Sequence, residues 1–182
     1  MVQLKYDPTK MARLKQLIES ESKGETFEEI TLQKLTIGQH VIEQLPLIME
    51  NISASKVATV LIVTDETPIK RAGVILKDAI AEIFQGKGIQ TQVLILTADK
   101  TGLLHADMQA AAKVKSRISE GCGLIGIGGG TITDICKYAA FLWQEENPQM
   151  GMVPLIVCQT ATSGSAFGAN QAVIFKDGLF IH

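Results

Sequence analysis

The chain is short of the residues that would announce an unusual architecture. It has three cysteines, Cys122, Cys136 and Cys158, at wide spacings. They form no C-x-x-C pair and no disulfide framework, so a reducing, cytoplasmic setting is expected. No apolar run approaches ~18 residues, so no membrane span is expected. The opening Met-Val-Gln-Leu-Lys-Tyr-Asp lacks the cationic and apolar pattern of a leader. The formal net charge is −2, with Lys and Arg scattered rather than striped. That gives no electrostatic case for nucleic acid. There is no internal repeat and no low-complexity segment. Aromatics are only 5% of the residues, yet apolar residues reach 46%. That balance suits an ordinary α/β domain. A chain of 182 residues buries roughly 70% of its unfolded surface and needs no covalent staple.

What the chain does have is glycine in one place. Residues 123–134 read Gly-Leu-Ile-Gly-Ile-Gly-Gly-Gly-Thr-Ile-Thr-Asp, with glycine at 126 and at 128 to 130. Glycine weakens both strands and helices, so four in five positions point to a close backbone approach. The stretch reads as a buried strand, a turn and a helix start. Unpaired N–H groups at such a helix start suit a phosphate.

The rest of the pattern alternates strands and helices. An amphipathic helix spans Asp7 to Ser22, and a polar linker follows to Glu29. Residues 1–29 are thus set apart from a main domain over 30–182. Ile30 to Ile37 alternates as a strand would, and Gln39 to Ile52 reads as a helix offset by Pro46. Lys56 to Thr64 is a β-branched run suited to a parallel strand covered on both faces. A helix is expected over Pro68 to Gln85, with Pro68 in its first turn and Gly86 and Gly88 as its stop. Ile89 to Thr97 is a strand, and His105 to Glu120 a helix ended by Gly121. After the glycine stretch come a helix from about Thr133 to Trp143 and an apolar strand, Val153 to Cys158. A Thr/Ser-rich loop runs over 159–170, and a hairpin over Ala172 to Ile181 turns at Lys176-Asp177-Gly178. This order implies a Rossmann-like, doubly wound parallel sheet with a terminal β-hairpin and an extra N-terminal helix.

Three places can carry chemistry. The first is Gly128, Gly129, Gly130 and Thr131. It is not G-x-G-x-x-G, since Thr131 holds the third position, and no acidic residue ends the next strand. The plain alternative is a tight turn that lets helix and strand pack. Thr131 and Asp134 have capping-box spacing, which gives Asp134 a structural role beside any contact to a ligand hydroxyl. The second is Asp65, at the carboxyl end of an apolar strand. A carboxylate there can accept both hydroxyls of an adenine ribose and repels a 2′-phosphate, which favours NAD over NADP. The alternative is a helix cap. The third is the hydroxyl run Thr160, Thr162, Ser163 and Ser165, able to bind phosphate, ribose or carboxamide, or simply a loop.

Taken together, these stretches resemble the iron-containing (group III) alcohol dehydrogenase superfamily. Its members include glycerol dehydrogenase, glycerol-1-phosphate dehydrogenase and dehydroquinate synthase. The resemblance rests on Val63-Thr64-Asp65 after an apolar strand and on Gly128-Gly129-Gly130-Thr131-x-x-Asp134 with Lys137. It is completed by Pro154 through Ser165. Leu104-His105-Ala106-Asp107 is similar to the glycerol-1-phosphate dehydrogenase branch. The chain departs from the pattern at Cys158, Gln159 and Ala166, and has Leu179 and Phe180 where the family has a lysine.

The resemblance implies a nucleotide-binding domain. Asp65 would hold the adenine ribose, and Gly129, Gly130 and Thr131 the pyrophosphate. Thr160, Ser163 and Ser165 would contact the phosphates or the nicotinamide side. It implies NAD(P)-linked oxidation of a small alcohol or polyol, assisted by a divalent metal, iron or zinc. The family's metal ligands are an Asp and several His of a C-terminal helical domain. Here the histidines are His40, His105 and His182, none i, i+4 from another or from an Asp. The metal is therefore not expected on this chain, nor any catalytic residue, and the chain alone is expected to be inactive. It would be a truncated or split enzyme that pairs with the missing domain or with a second copy. A dehydroquinate-synthase-like cyclase and a non-catalytic NAD-binding or assembly domain are the alternatives.

Overall fold

The computed structural model describes residues 10–21, 32–161, 168, 171–177 and 179–181. The N-terminal helix α1 covers Met11–Glu21. A 3₁₀ turn at Ile42–Gln44 leads into α2, Leu45–Ile52, with Pro46 in its first turn. Pro46 is harmless there because its missing N–H would have no helical partner. Four parallel strands form the sheet: β1 (Thr59–Asp65), β4 (Gln90–Leu96), β5 (Cys122–Gly128) and β6 (Leu155–Gln159). They lie in the order β4-β1-β5-β6. Helices α3 (Leu76–Gln85), α4 (Met108–Lys115) and α5 (Gly130–Glu146) make the connections. The Rossmann-like reading therefore holds.

The sheet has two covered faces. Leu61, Val63 and Leu124 pack with Val114 of α4 and Ile132, Ile135 and Cys136 of α5. Val60, Ile62, Ile125 and Ile127 pack with Met49 of α2 and Ile80 and Phe84 of α3. This is why β1 and β5 are apolar at successive positions: each side chain meets a helix whichever way it points.

Four expectations are corrected. Residues 32–37 form no strand, and Ile37 is 70% exposed. Alternation alone does not make a strand without an edge to pair with. The helix expected from Pro68 begins only at Leu76. Residues 70–75 instead form a hairpin, β2 (Lys70–Arg71) against β3 (Val74–Ile75). Its turn residues, Ala72 and Gly73, have φ of 49° and 84°, as a two-residue hairpin turn requires. The helix expected over 105–120 is shorter, because Asp107 caps it and accepts the Ala110 N–H at 2.8 Å. Finally, α5 starts at Gly130, three residues before the expected Thr133.

The terminal hairpin pairs β7 (Ile174–Lys176) with β8 (Leu179–Ile181). Lys176 lies in the strand, opposite Leu179. The hairpin is fastened to the domain through Phe175, whose N–H donates to the Ala106 carbonyl at 2.7 Å.

Candidate functional site

The connections locate the site. After β1 the chain runs to β4 on one side, and after β5 it runs to β6 on the other. The exits of β1 and β5 thus diverge, leaving a crevice at their carboxyl ends. Thr64 pairs with Ile127 in register, so Asp65 and Gly128 leave the sheet side by side.

On the β1 side, Asp65 is half-buried. One of its carboxylate oxygens accepts the Thr67 N–H at 2.9 Å. It caps a turn and not a helix, because α3 begins eleven residues later. A cleft of about 220 Å³ opens beside it, lined by Thr64, Asp65, Ile69, Ile75, Lys77 and Ile95 among others. The β2–β3 hairpin supplies Ile69 and Ile75 as one apolar wall. Arg71 holds the hairpin by donating to Glu43 at 3.2 Å. Glu66 closes the far edge, its carboxylate accepting the Ala98 N–H at 3.2 Å. The part played by this hairpin was missed in sequence reasoning. The Ala72-Gly73 pair was its signal.

On the β5 side the glycines divide by purpose. A Cβ at Gly128 would fall 2.6 Å from Ile132 Cγ1, and one at Gly126 3.1 Å from Cys136 Sγ. These two are required so that α5 can lie on β5. Gly129 is different, since among the described residues the nearest atom to its Cβ position is Ala161 Cβ at 3.9 Å. Three consecutive glycines thus answer to packing at the first and not at the second.

Gly129 is the N-cap of α5, with no side-chain cap. The capping box expected from Thr131 and Asp134 does not form, since both lie inside the helix. Instead the buried Thr133 hydroxyl donates back to the Gly129 carbonyl at 3.0 Å. Among the described residues, no side chain caps the first N–H groups of this seventeen-residue helix.

Thr160 joins the same place, because its N–H donates to the Gly128 carbonyl at 3.0 Å. Ser163 and Ser165 lie outside the described residues. Asp134 is half-buried on α5, three residues before Lys137. Burial raises its pKa, against the opposing pull of Lys137 and of the Val173 backbone. Cys158 is no candidate nucleophile: burial pushes its thiol up to about 12. Among the described residues, no three His, Cys, Asp or Glu come together as a metal site.

A parallel α/β sheet with a glycine-started helix at its switch point defines a Rossmann-like domain. Over residues 36–180 the sequence matches the model of the family described as iron-containing alcohol dehydrogenase. The chain belongs to that family. It is 26% identical over 145 residues to glycerol-1-phosphate dehydrogenase [NAD(P)+] of Thermofilum pendens, covering 80% of this chain and 35% of that protein. Solved structures share the fold. NADH-dependent butanol dehydrogenase A of Thermotoga maritima aligns with a TM-score of 0.53 at 18% identity, over 82% of this chain and 44% of that one. Glycerol dehydrogenase of Schizosaccharomyces pombe aligns with a TM-score of 0.50 at 19% identity, over 86% and 36%. The chain spans about a third of the length of the curated relative it matches. No described helix is long and apolar enough to cross a membrane.

Proposed function

We propose that residues 30–182 form the nucleotide-binding part of an NAD-dependent, metal-assisted alcohol or polyol dehydrogenase. The observation that carries this reading is the crevice between β1 and β5, with a carboxylate on one wall and, on the other, a helix N-terminus that has no side-chain cap among the described residues. Asp65 would hold the adenine ribose through its hydroxyls, with the adenine against Ile69 and Ile75. The amides of Gly129, Gly130 and Thr131 would take the pyrophosphate, with the α5 dipole favouring its charge. Gly129 fits that role because, among the described residues, a Cβ there would meet nothing closer than Ala161 Cβ at 3.9 Å, so packing does not require a glycine. Thr160, held beside Gly128, would lie next to the phosphates, and Ser163 and Ser165 would follow it.

A carboxylate at Asp65 would repel a 2′-phosphate, so NAD is preferred over NADP. The bound nicotinamide supplies the hydride chemistry; this chain binds and orients it. The described residues offer no donor set for the family's iron or zinc, so no hydride step is derived from them. Metal and substrate would be handled by another part of the enzyme. Leu179 and Phe180, each 69% exposed, are an apolar edge that such a part or a second copy would cover.

Titration of the 182-residue chain with NADH, followed by NADH fluorescence, tests the reading. Saturable binding that is weaker for NADPH is expected. No binding at millimolar NADH would sink it and leave an assembly role.

A further inference from the structure

The cleft beside Asp65 carries charge of both signs. Among the described residues that line it, Asp65 and Glu66 are acidic and Lys77 alone is basic. The nearby Arg71 is turned to Glu43 at 3.2 Å. Lys77 is the second residue of α3. A cation there meets the positive end of the helix dipole, which opposes it. The next residue, Asp78, offsets that cost: Lys77 Nζ donates to Asp78 Oδ1 at 3.0 Å. The two side chains are unequally placed, 23% exposed at Lys77 and 51% at Asp78. The lysine thus lies along the cleft while its counter-ion stands in solvent. Adjacent residues of a helix do not face each other, so the pair forms only by the lysine stem bending toward Asp78. Such an exposed pair is weak, and its cation is readily taken by a better anion.

We propose that Lys77 and Asp78 help to set the choice between NAD and NADP, at the ribose 2′ position. Asp65 repels a 2′-phosphate there, and Lys77 is the group of the cleft able to attract one. Held by Asp78, the ammonium is neutralised and spends a donor on a carboxylate. Released, it would meet a 2′-phosphate as a mobile point charge with three donors. The cleft holds only about 220 Å³. A phosphate on a ribose held by Asp65 would therefore lie within the sweep of the long lysine stem. Asp78 need touch no ligand: it is a positioning residue that keeps Lys77 away from the 2′ position. The proposal rests on the dinucleotide reading above and deepens it. The preference for NAD is then maintained by a solvent-facing carboxylate as well as by Asp65.

The test measures the Kd of the 182-residue chain and its variants for NADH and NADPH by cofactor fluorescence. Asp78→Asn is expected to shift the affinity ratio about fivefold toward NADPH. In a Lys77→Met background the same change should leave the ratio within about twofold, because the cation it releases is gone. The fivefold shift should also shrink as salt is raised, since it is an attraction between charges. Adenosine 2′,5′-bisphosphate measured against AMP should repeat the shift, because the two differ only by the 2′-phosphate. An unmoved ratio in a folded Asp78→Asn chain would overturn the proposal and leave the dinucleotide reading standing. A shift of equal size in the Lys77→Met background would overturn it too, as a general effect of lost negative charge. If the unaltered chain bound neither dinucleotide, the reading and the proposal would fall together.

Discussion

The two walls of the crevice are built from different material. The β1 wall is made by side chains: the Asp65 carboxylate, the Ile69 and Ile75 faces, and the Lys77 stem. The β5 wall is made by backbone, the amides at the start of α5 and the Gly128 carbonyl that holds Thr160. A side-chain wall chooses among ligands by charge and shape. A backbone wall recognises phosphate and little else, since every N–H is alike. The contrast also explains tolerance to change. The β1 wall sits on a surface hairpin, whereas the β5 wall is locked by close packing of α5 on its strand.

The sharpest way to break this contrast is Gly128→Ala. Its methyl group would meet Ile132 at 2.6 Å, and Ile132 is itself fully buried. A loss of about 3 kcal/mol in urea denaturation is expected. A loss under ~0.5 kcal/mol would mean that α5 is free to lift off β5. Next is Asp65→Ala. It should raise the NADH Kd about tenfold and narrow the gap to NADPH, while unfolding costs only about 1 kcal/mol for the lost Thr67 bond. An unchanged NADH/NADPH ratio would place discrimination elsewhere in the β1 wall.

Gly129→Ala should then cost less than about 1 kcal/mol in stability, because its Cβ meets nothing closer than 3.9 Å among the described residues. It should still weaken NADH, since the methyl group would occupy the cradle. Affinity equal to that of the original chain would remove Gly129 from the phosphate wall. The smallest effect concerns pH. The Asp134 pKa is raised above its ordinary 3.8, chiefly by burial. Just above pH 3.8 the folded form therefore holds more protons than the unfolded form. This group's contribution to stability falls as pH rises through that window. Asp99 runs the other way: its carboxyl is held down by hydrogen bonds from Thr101, so its contribution is lost as pH falls. Asp134→Asn should remove the first slope and leave the second, measurable as the pH dependence of Tm.

Much of the fold was legible because the parallel strands carry their own signature. Val60 to Val63 and Leu124 to Ile127 are buried on both faces, so no polar residue interrupts them. The positions of Asp65 and the glycine turn followed, since both sit where such runs end. The β2–β3 hairpin was hidden because Ile69, Ala72, Ile75 and Leu76 also have helical spacing. A left-handed turn at Ala72 and Gly73 overrode that periodicity. The expected strand failed over its described residues, 32–37, for the converse reason, a period without a partner. Asp134 was read as a cap from spacing, but α5 starts at Gly130 and places it inside the helix.

The sequence by itself determined the class of fold and the places of Asp65 and of the glycine turn at two strand ends. Those follow from local rules, which need only neighbouring residues: apolar runs, glycine clusters and a carboxylate at a strand end. Tertiary structure alone decided which glycine serves packing and which stays open. It also decided that a hairpin walls the cleft, and that Lys137 reaches the Gln171 carbonyl. Those are facts about distances in space, between α5 and its strand and between the hairpin and the sheet, and the pattern of residue types does not fix them.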